Sequence, residues 1–214
     1  MQLCLREGVR LQVSLDLWSS SAYSSRGMPE ANFLKLCQTR RSVRRFSDRP
    51  VEREKLELCL EAARLAPSAD NGQPWRFVIF DDPAKKKALA DAVFTGVFLA
   101  SKHFGEAPVL VVLLIKESLL INRAGGWVAG VQFQLVDAGI AGEHFVLAAA
   151  EQDLGTCWIG WFDSRALLRH LGLKGHGYRP IALIAVGYPA SDRPSGEPRR
   201  KPLAQIAFWN CPPR

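Results

Sequence analysis

From Phe133 to Gln152 the chain is built mostly from Ala, Leu, Val, Ile and Phe, and the run stops just short of Gly155. That length and composition predict a long helix with apolar residues on most of its faces, closed by a glycine beyond its end. Such a helix cannot stand in water. It has to lie inside a core or at a subunit interface, so other layers must cover it. A chain of 214 residues with 48% hydrophobic residues is long enough to supply those layers as one domain.

The segments on either side supply candidate layers. Phe33, Leu34 and Cys37 have helical spacing and lead into an arginine-rich stretch. Leu56, Cys59, Leu60 and Ala63 mark one face of a helix over about Glu52 to Leu65, which must stop before Pro67. Trp75 to Phe80 reads as a buried strand, and Asp82-Pro83 as an N-cap and first turn for a helix through Ala92. Pro108 to Ile115 is a second strand, Asp163 to Leu171 a shorter helix, and Pro180 to Gly187 a central strand. At the N-terminus Val9, Leu11, Val13, Leu15 and Leu17 alternate as in a strand, and Ser19 to Gly27 reads as a linker. Helices mixed with strands predict an α/β or α+β sandwich.

Charge narrows the partners without choosing one. Lys and Arg number 28 against 21 Asp and Glu, a net of +7, which suits an anionic ligand, a nucleic acid or an acidic partner. Arg40, Arg41, Arg44, Arg45 and Arg49 form one cluster; Arg199, Arg200 and Lys201 form another. Nucleic-acid binding needs a basic face with stacking aromatics or a known module, and neither is found. The five cysteines are scattered without zinc-like spacing, so no metal site is expected and reduced thiols in the cytoplasm fit best. No apolar segment reaches the ~18 residues that span a bilayer, and no secretory signal is expected.

Three constellations carry polar chemistry. Thr39-Arg40-Arg41-Ser42-Val43-Arg44-Arg45-Phe46 puts guanidinium groups and a hydroxyl at a helix end, where they either grip a phosphate or form a solvated basic turn. Ala66 to Trp75 combines fixed prolines with Ser68, Asn71 and Gln73, more hydrogen-bonding groups than a turn needs. Gly155 to Asp163 reads as a loop in which glycines allow close backbone approach and Trp158, Trp161 and Phe162 offer flat surfaces. For Trp158 and Phe162, core packing is the simpler role. Cys157 has no His and Asp in a catalytic motif beside it and reads as a structural thiol.

Taken in order, these segments resemble the nitroreductase family. Arg40, Ser42, Arg44 and Phe46 match its R-x-S-x-R/K-x-F/Y element. Ala66, Pro67, Ser68, Asn71, Gln73, Pro74 and Trp75 match A-P-S-x-x-N-x-Q-P-W. Asp153 to Gly160 matches G-L-G-T-C-W-I-G, Gly177 to Pro189 matches a G-Y-x-P strand, and Arg199-Arg200-Lys201-Pro202-Leu203 matches the basic close. The resemblance spans Glu30 to Asn210. It leaves residues 1–28 as an N-terminal extension before a domain over 29–214.

The resemblance implies an α+β fold with a central, mostly antiparallel sheet flanked by helices, and a homodimer in which both subunits complete an FMN pocket. It implies that Arg40, Arg41 and Ser42, with Arg199 or Lys201, hold the FMN phosphate, and that Arg44 lies near the pyrimidine edge. Pro67, Ser68, Asn71 and Gln73 would line the ring and ribityl chain, and backbone groups of Trp158, Ile159, Gly160 and Trp161 would face the ring. NAD(P)H as co-substrate would reduce the flavin, which would reduce a small-molecule acceptor such as a nitroaromatic or quinone; no side-chain acid or base is then required. A flavin-binding protein without turnover is the alternative. The segment between Ile115 and Phe133, with Asn122 to Trp127, falls where family members vary and often cover the flavin.

Overall fold

The computed structural model describes residues 32–117, 131–190, 199–210 and 212–213. The expected strand over Val9 to Leu17, its linker and the segment Asn122 to Trp127 lie outside the described residues. Two compact units are present: Phe33–Arg193, and a second that includes the described C-terminal residues. Each is taken on its own.

Within the larger unit, α1 (Asn32–Thr39) leads into the arginine segment and α2 (Arg53–Arg64) buries Leu56, Cys59 and Ala63. α2 stops before Ala66-Pro67, because a residue preceding proline disfavours the helical region. β1 (Trp75–Phe80) follows; it was expected to be buried, but only Trp75 is, since β1 lies at the edge of the described sheet. The Asp82 side chain accepts a 2.8 Å hydrogen bond from the Lys85 N–H and Pro83 occupies the first turn of α3 (Pro83–Val93). Short 3-10 turns over Gly96–Glu106 lead to β2 (Val109–Lys116). The long helix α4 (Phe133–Glu151) is followed by β3 (Gly155–Ile159) and by α5 (Ser164–His170), capped by Asp163, which accepts from the amides of Arg165 and Ala166, both at 2.9 Å. β4 (Tyr178–Gly187) completes the sheet.

The sheet runs β1-β2-β4-β3, and every neighbouring pair among the described strands is antiparallel. Alternation along β2 then assigns the two cores. Val109, Val111, Leu113 and Ile115 face α2 and α4, where Leu56, Phe145, Val146 and Ala149 meet them. Leu110, Val112 and Leu114 face the other way, against Leu89, Val93 and Phe94 near α3 and Leu167 of α5. β2 is therefore apolar on both faces and reads as a continuous hydrophobic run. α4 has buried residues Ala138, Ala141, Phe145, Val146 and Ala149, the burial its composition demands.

Candidate functional site

α1 delivers the arginine segment as an extended strip along the open edge of β3. Ser42 bridges Thr156 in parallel sense, the Val43 N–H donates to the Thr156 carbonyl at 2.8 Å, and Phe46 bridges Pro189. Ser47 donates to the Tyr188 carbonyl at 2.9 Å and Ala190 to that of Arg45 at 3.1 Å. A strip so paired sends alternate side chains to opposite sides. Val43 turns inward onto Gly155, where a Cβ would lie 2.6 Å from a Val43 methyl, while Ser42 and Arg44 are exposed. The Arg40 side chain is only 19% exposed and its Nε lies 3.9 Å from Glu143 Oε1. Arg41 turns back onto the carbonyls of Gln38 and Arg40. Burial pushes the Cys157 thiol pKa up, and the charges of Arg44 and Arg40 pull it down, so both guanidiniums act on this end of the sheet.

The loop after α2 is held in a shape few residues adopt. Ser68 is extended, Ala69–Asn71 forms one 3-10 turn, and Asp70, Asn71 and Gln73 have φ of 50°, 54° and 42°. Asp and Asn tolerate that region; Gln does so at a cost. Internal hydrogen bonds offset it. The Gln73 N–H donates to Ser68 Oγ at 3.0 Å, and Gln73 Nε2 donates to Asn71 Oδ1 at 2.8 Å and to the Asn71 carbonyl at 3.2 Å. The Ala69 N–H donates to Asp137 Oδ1 on α4 at 3.1 Å. Pro67, Asn71 and Gln73 are exposed, and Ser68 is half-buried.

The third segment corrects one expectation. Gly155–Ile159 is not a loop but the edge strand β3, paired along its length with β4. Gly155 is small to admit Val43 of its own chain rather than a ligand. Trp158 packs into the α4 side of the core, with its ring where a Cβ on Gly142 would come within 2.2 Å, and the Ile159 side chain is buried. The open turn begins only at Gly160, which has nothing within 4 Å of an added Cβ. Trp161 is 57% exposed; its indole N–H donates to the Val97 carbonyl at 2.9 Å and its ring lies 5.2 Å from that of Phe98.

All three segments are thus tied to one helix. Asp137 of α4 holds the loop at Ala69, Gly142 receives Trp158, and Glu143 faces Arg40. The sequence signal that could have found this is Asp137 and Glu143, two carboxylates in the middle of a mostly apolar run. Arg199 and Lys201 belong to the other unit, where both are exposed ahead of a 3-10 turn over Leu203–Gln205. Cys59 and Cys157 are buried free thiols, and burial raises the Cys59 pKa to about 11. Among the described residues no group of His, Cys, Asp or Glu could hold a metal, and no helix is long and apolar enough to cross a membrane.

Guanidiniums, amides and an unobstructed glycine turn are thus mounted together on an α+β sandwich. Comparison with known proteins identifies the family. The nitroreductase family model matches residues 37–188. A Thermus thermophilus protein named NADH dehydrogenase is 34% identical over 197 residues, covering 79% of this chain and 92% of its own. A Bacillus subtilis FMN reductase [NAD(P)H] is 30% identical over 176 residues, covering 78% and 69%. The solved structure of a putative nitroreductase from Desulfovibrio desulfuricans in complex with FMN is 30% identical, covers 86% of this chain and 100% of its own, and superposes with a TM-score of 0.68. The chain belongs to the nitroreductase family.

Proposed function

We propose that this protein is an FMN-dependent oxidoreductase that uses NAD(P)H to reduce a small acceptor such as a nitroaromatic or a quinone. The observation that carries this reading is the attachment of the arginine strip, the positive-φ loop and the Trp158 strand to one helix, α4. The donor set fits FMN. Exposed Ser42 and Arg44 and half-buried Arg40 and Arg41 offer charge-assisted bonds to a phosphate. Arg41 has only to leave its carbonyl contacts. Arg44 serves the pyrimidine edge, where a cation favours negative charge on the ring. Pro67, Ser68, Asn71 and Gln73 line the ring and ribityl chain. The Gly160 turn leaves room for a flat ring, with backbone groups of Trp158 to Trp161 facing it and Ile159 and Trp158 anchoring that backbone in the core.

FMN, when bound, supplies hydride transfer through its N5 atom. The chain's own task is then to bind, orient and shield, which needs no titrating side chain.

A homodimer suits the same reading. Phe133 and Val136 at the start of α4 are 42% and 50% exposed, and in the C-terminal unit Ile206 and Trp209 are 63% and 87% exposed. Apolar side chains this exposed fit a partner surface. The buried free thiols fit a reducing, cytoplasmic setting.

The test is a visible spectrum of the purified protein, followed by anaerobic addition of NADH and NADPH separately. Flavin absorbance that bleaches with one or both donors and returns with a quinone is expected. A protein that stays colourless after incubation with FMN overturns the reading; a flavin that neither donor bleaches reduces it to binding without turnover.

A further inference from the structure

We infer that Asp137 is a positioning residue for the cofactor loop: its carboxylate, buried in α4, fixes the Ala69 amide and so sets the shape in which Ser68 to Gln73 meet the ligand. This rests on the FMN reading above and adds to it a residue that does not touch the cofactor.

Asp137 is 5% exposed and directly precedes Ala138, a fully buried residue of the α2 and α4 core. A carboxylate there is expensive unless a donor meets it. The donor is the Ala69 N–H, 68 positions away in sequence, at 3.1 Å. That amide opens the 3-10 turn Ala69–Asn71, and the next residues are the ones with positive φ. Within the loop Gln73 bonds to Ser68 and Asn71, and its far end is held to the sheet by Arg76, which donates to the Gln73 carbonyl at 3.0 Å, and by the Lys116 N–H, which donates to that of Pro74 at 2.8 Å. The Asp137 bond ties the near end to α4, the helix that also carries Gly142 against Trp158 and Glu143 beside Arg40. Loss of it leaves the loop intact but frees its Ala69 end to shift against the other two segments.

The backbone offers a clean way to remove the donor. Ser68 has φ −147° and ψ 155°, an extended state compatible with a following proline, and Ala69 is the first residue of its turn. Ala69→Pro deletes the amide hydrogen and puts a ring carbon in its place, so the bond cannot form and the Asp137 carboxylate has to move away. Asp137→Leu deletes the acceptor while keeping the branched side-chain skeleton, and Asp137→Asn keeps an oxygen in place.

FMN affinity of the full-length protein is measured by flavin fluorescence for these three variants and for Ala69→Pro with Asp137→Leu, alongside unfolding midpoints and the visible circular dichroism of bound flavin. The expected result is that Asp137→Leu and Ala69→Pro each weaken FMN roughly ten- to a hundredfold, the double variant no further than the weaker single, and Asp137→Asn within about threefold of the parent. Bound flavin in the two weakened variants is expected to show an altered dichroism signal. Asp137→Leu at parental affinity, additive single effects, or an Asp137→Asn variant as weak as Asp137→Leu each overturn the inference. If Asp137→Leu does not fold, Ala69→Pro and Asp137→Asn decide it alone, since parental affinity in the first or its loss in the second refutes it. Failure of the parent protein itself to bind FMN overturns the functional reading instead.

Discussion

The two faces of the sheet are covered by helix pairs that do different work. On the α3 and α5 side the packing is Leu89, Val93, Phe94 and Leu167 against Leu110, Val112 and Leu114, side chains that fill space without specifying direction. On the α2 and α4 side the same kind of packing is threaded with polar ties. Asp137 holds Ala69, His144 Nδ1 lies 3.2 Å from the Ala62 carbonyl, and Gln152 Nε2 donates to the Lys55 carbonyl at 3.2 Å and to Cys59 Sγ at 3.3 Å. Apolar burial supplies stability on both sides; on the α3 and α5 side directional bonds join helix ends and turns, such as the Asp163 N–H to the Val93 carbonyl at 3.0 Å and Lys86 Nζ to that of Ala107 at 2.5 Å, whereas on the other side they run from α4 and its C-cap to the loop and helix beside the candidate site.

That contrast breaks most visibly at matched core positions. Phe145 and Phe94 are both fully buried, one on each face, and truncation of either to Ala should lower stability by roughly 3–5 kcal/mol. Only Phe145→Ala should also weaken FMN, as seen by flavin titration below the unfolding transition. Equal loss of FMN in both would erase the distinction between the faces.

A smaller effect is expected from added methyl groups. Gly142→Ala drives a Cβ to within 2.2 Å of the Trp158 ring, and Gly105→Ala to within 2.8 Å of Ala90 on the other face. Each should cost about 1–3 kcal/mol by overpacking. The first should shift the Trp158 strand and lower FMN affinity, whereas the second should leave affinity at the parental value. Arg40→Ala inverts the pattern. Loss of a charge-assisted bond should weaken FMN by about 1.5–3 kcal/mol, with little change in unfolding midpoint, because Arg40 meets Glu143 at only 3.9 Å.

The smallest effect concerns pH. Tyr188 donates to Glu52 at 2.6 Å and Arg49 pairs with it at 2.7 Å, and these bonds, the tyrosine first, hold the Glu52 carboxyl at a pKa of about 2. A depressed carboxylate contributes stability that is present above its ordinary value of 4.5 and lost as pH falls through about 2. Glu52→Gln should therefore flatten the fall in Tm between pH 4.5 and pH 2. An unchanged slope would remove Glu52 from the acid response.

Most of this architecture was legible where one local signal decided the matter. Asp82-Pro83 located the start of α3, and the composition of 133–152 announced a buried helix. β3 was missed because two glycines and two tryptophans within Gly155–Trp161 looked like a loop, whereas pairing to β4 and the fit of Val43 over Gly155 are tertiary facts. In the same way the sequence offered Arg40 to Arg44, Ser68 to Gln73 and Trp158 to Trp161 as separate pieces. It did not reveal Asp137, Gly142 and Glu143 as their common mount: two carboxylates in an apolar run call for polar partners, but which segments supply them is decided only by the tertiary fold.

Hydrogen exchange with and without FMN reads all three segments at once. Added protection together in residues 40–46, 66–74 and 155–161 is expected on saturation with FMN, and none in α3 or α5. Protection confined to one of the three segments, or spread over α3 and α5, would contradict a common site.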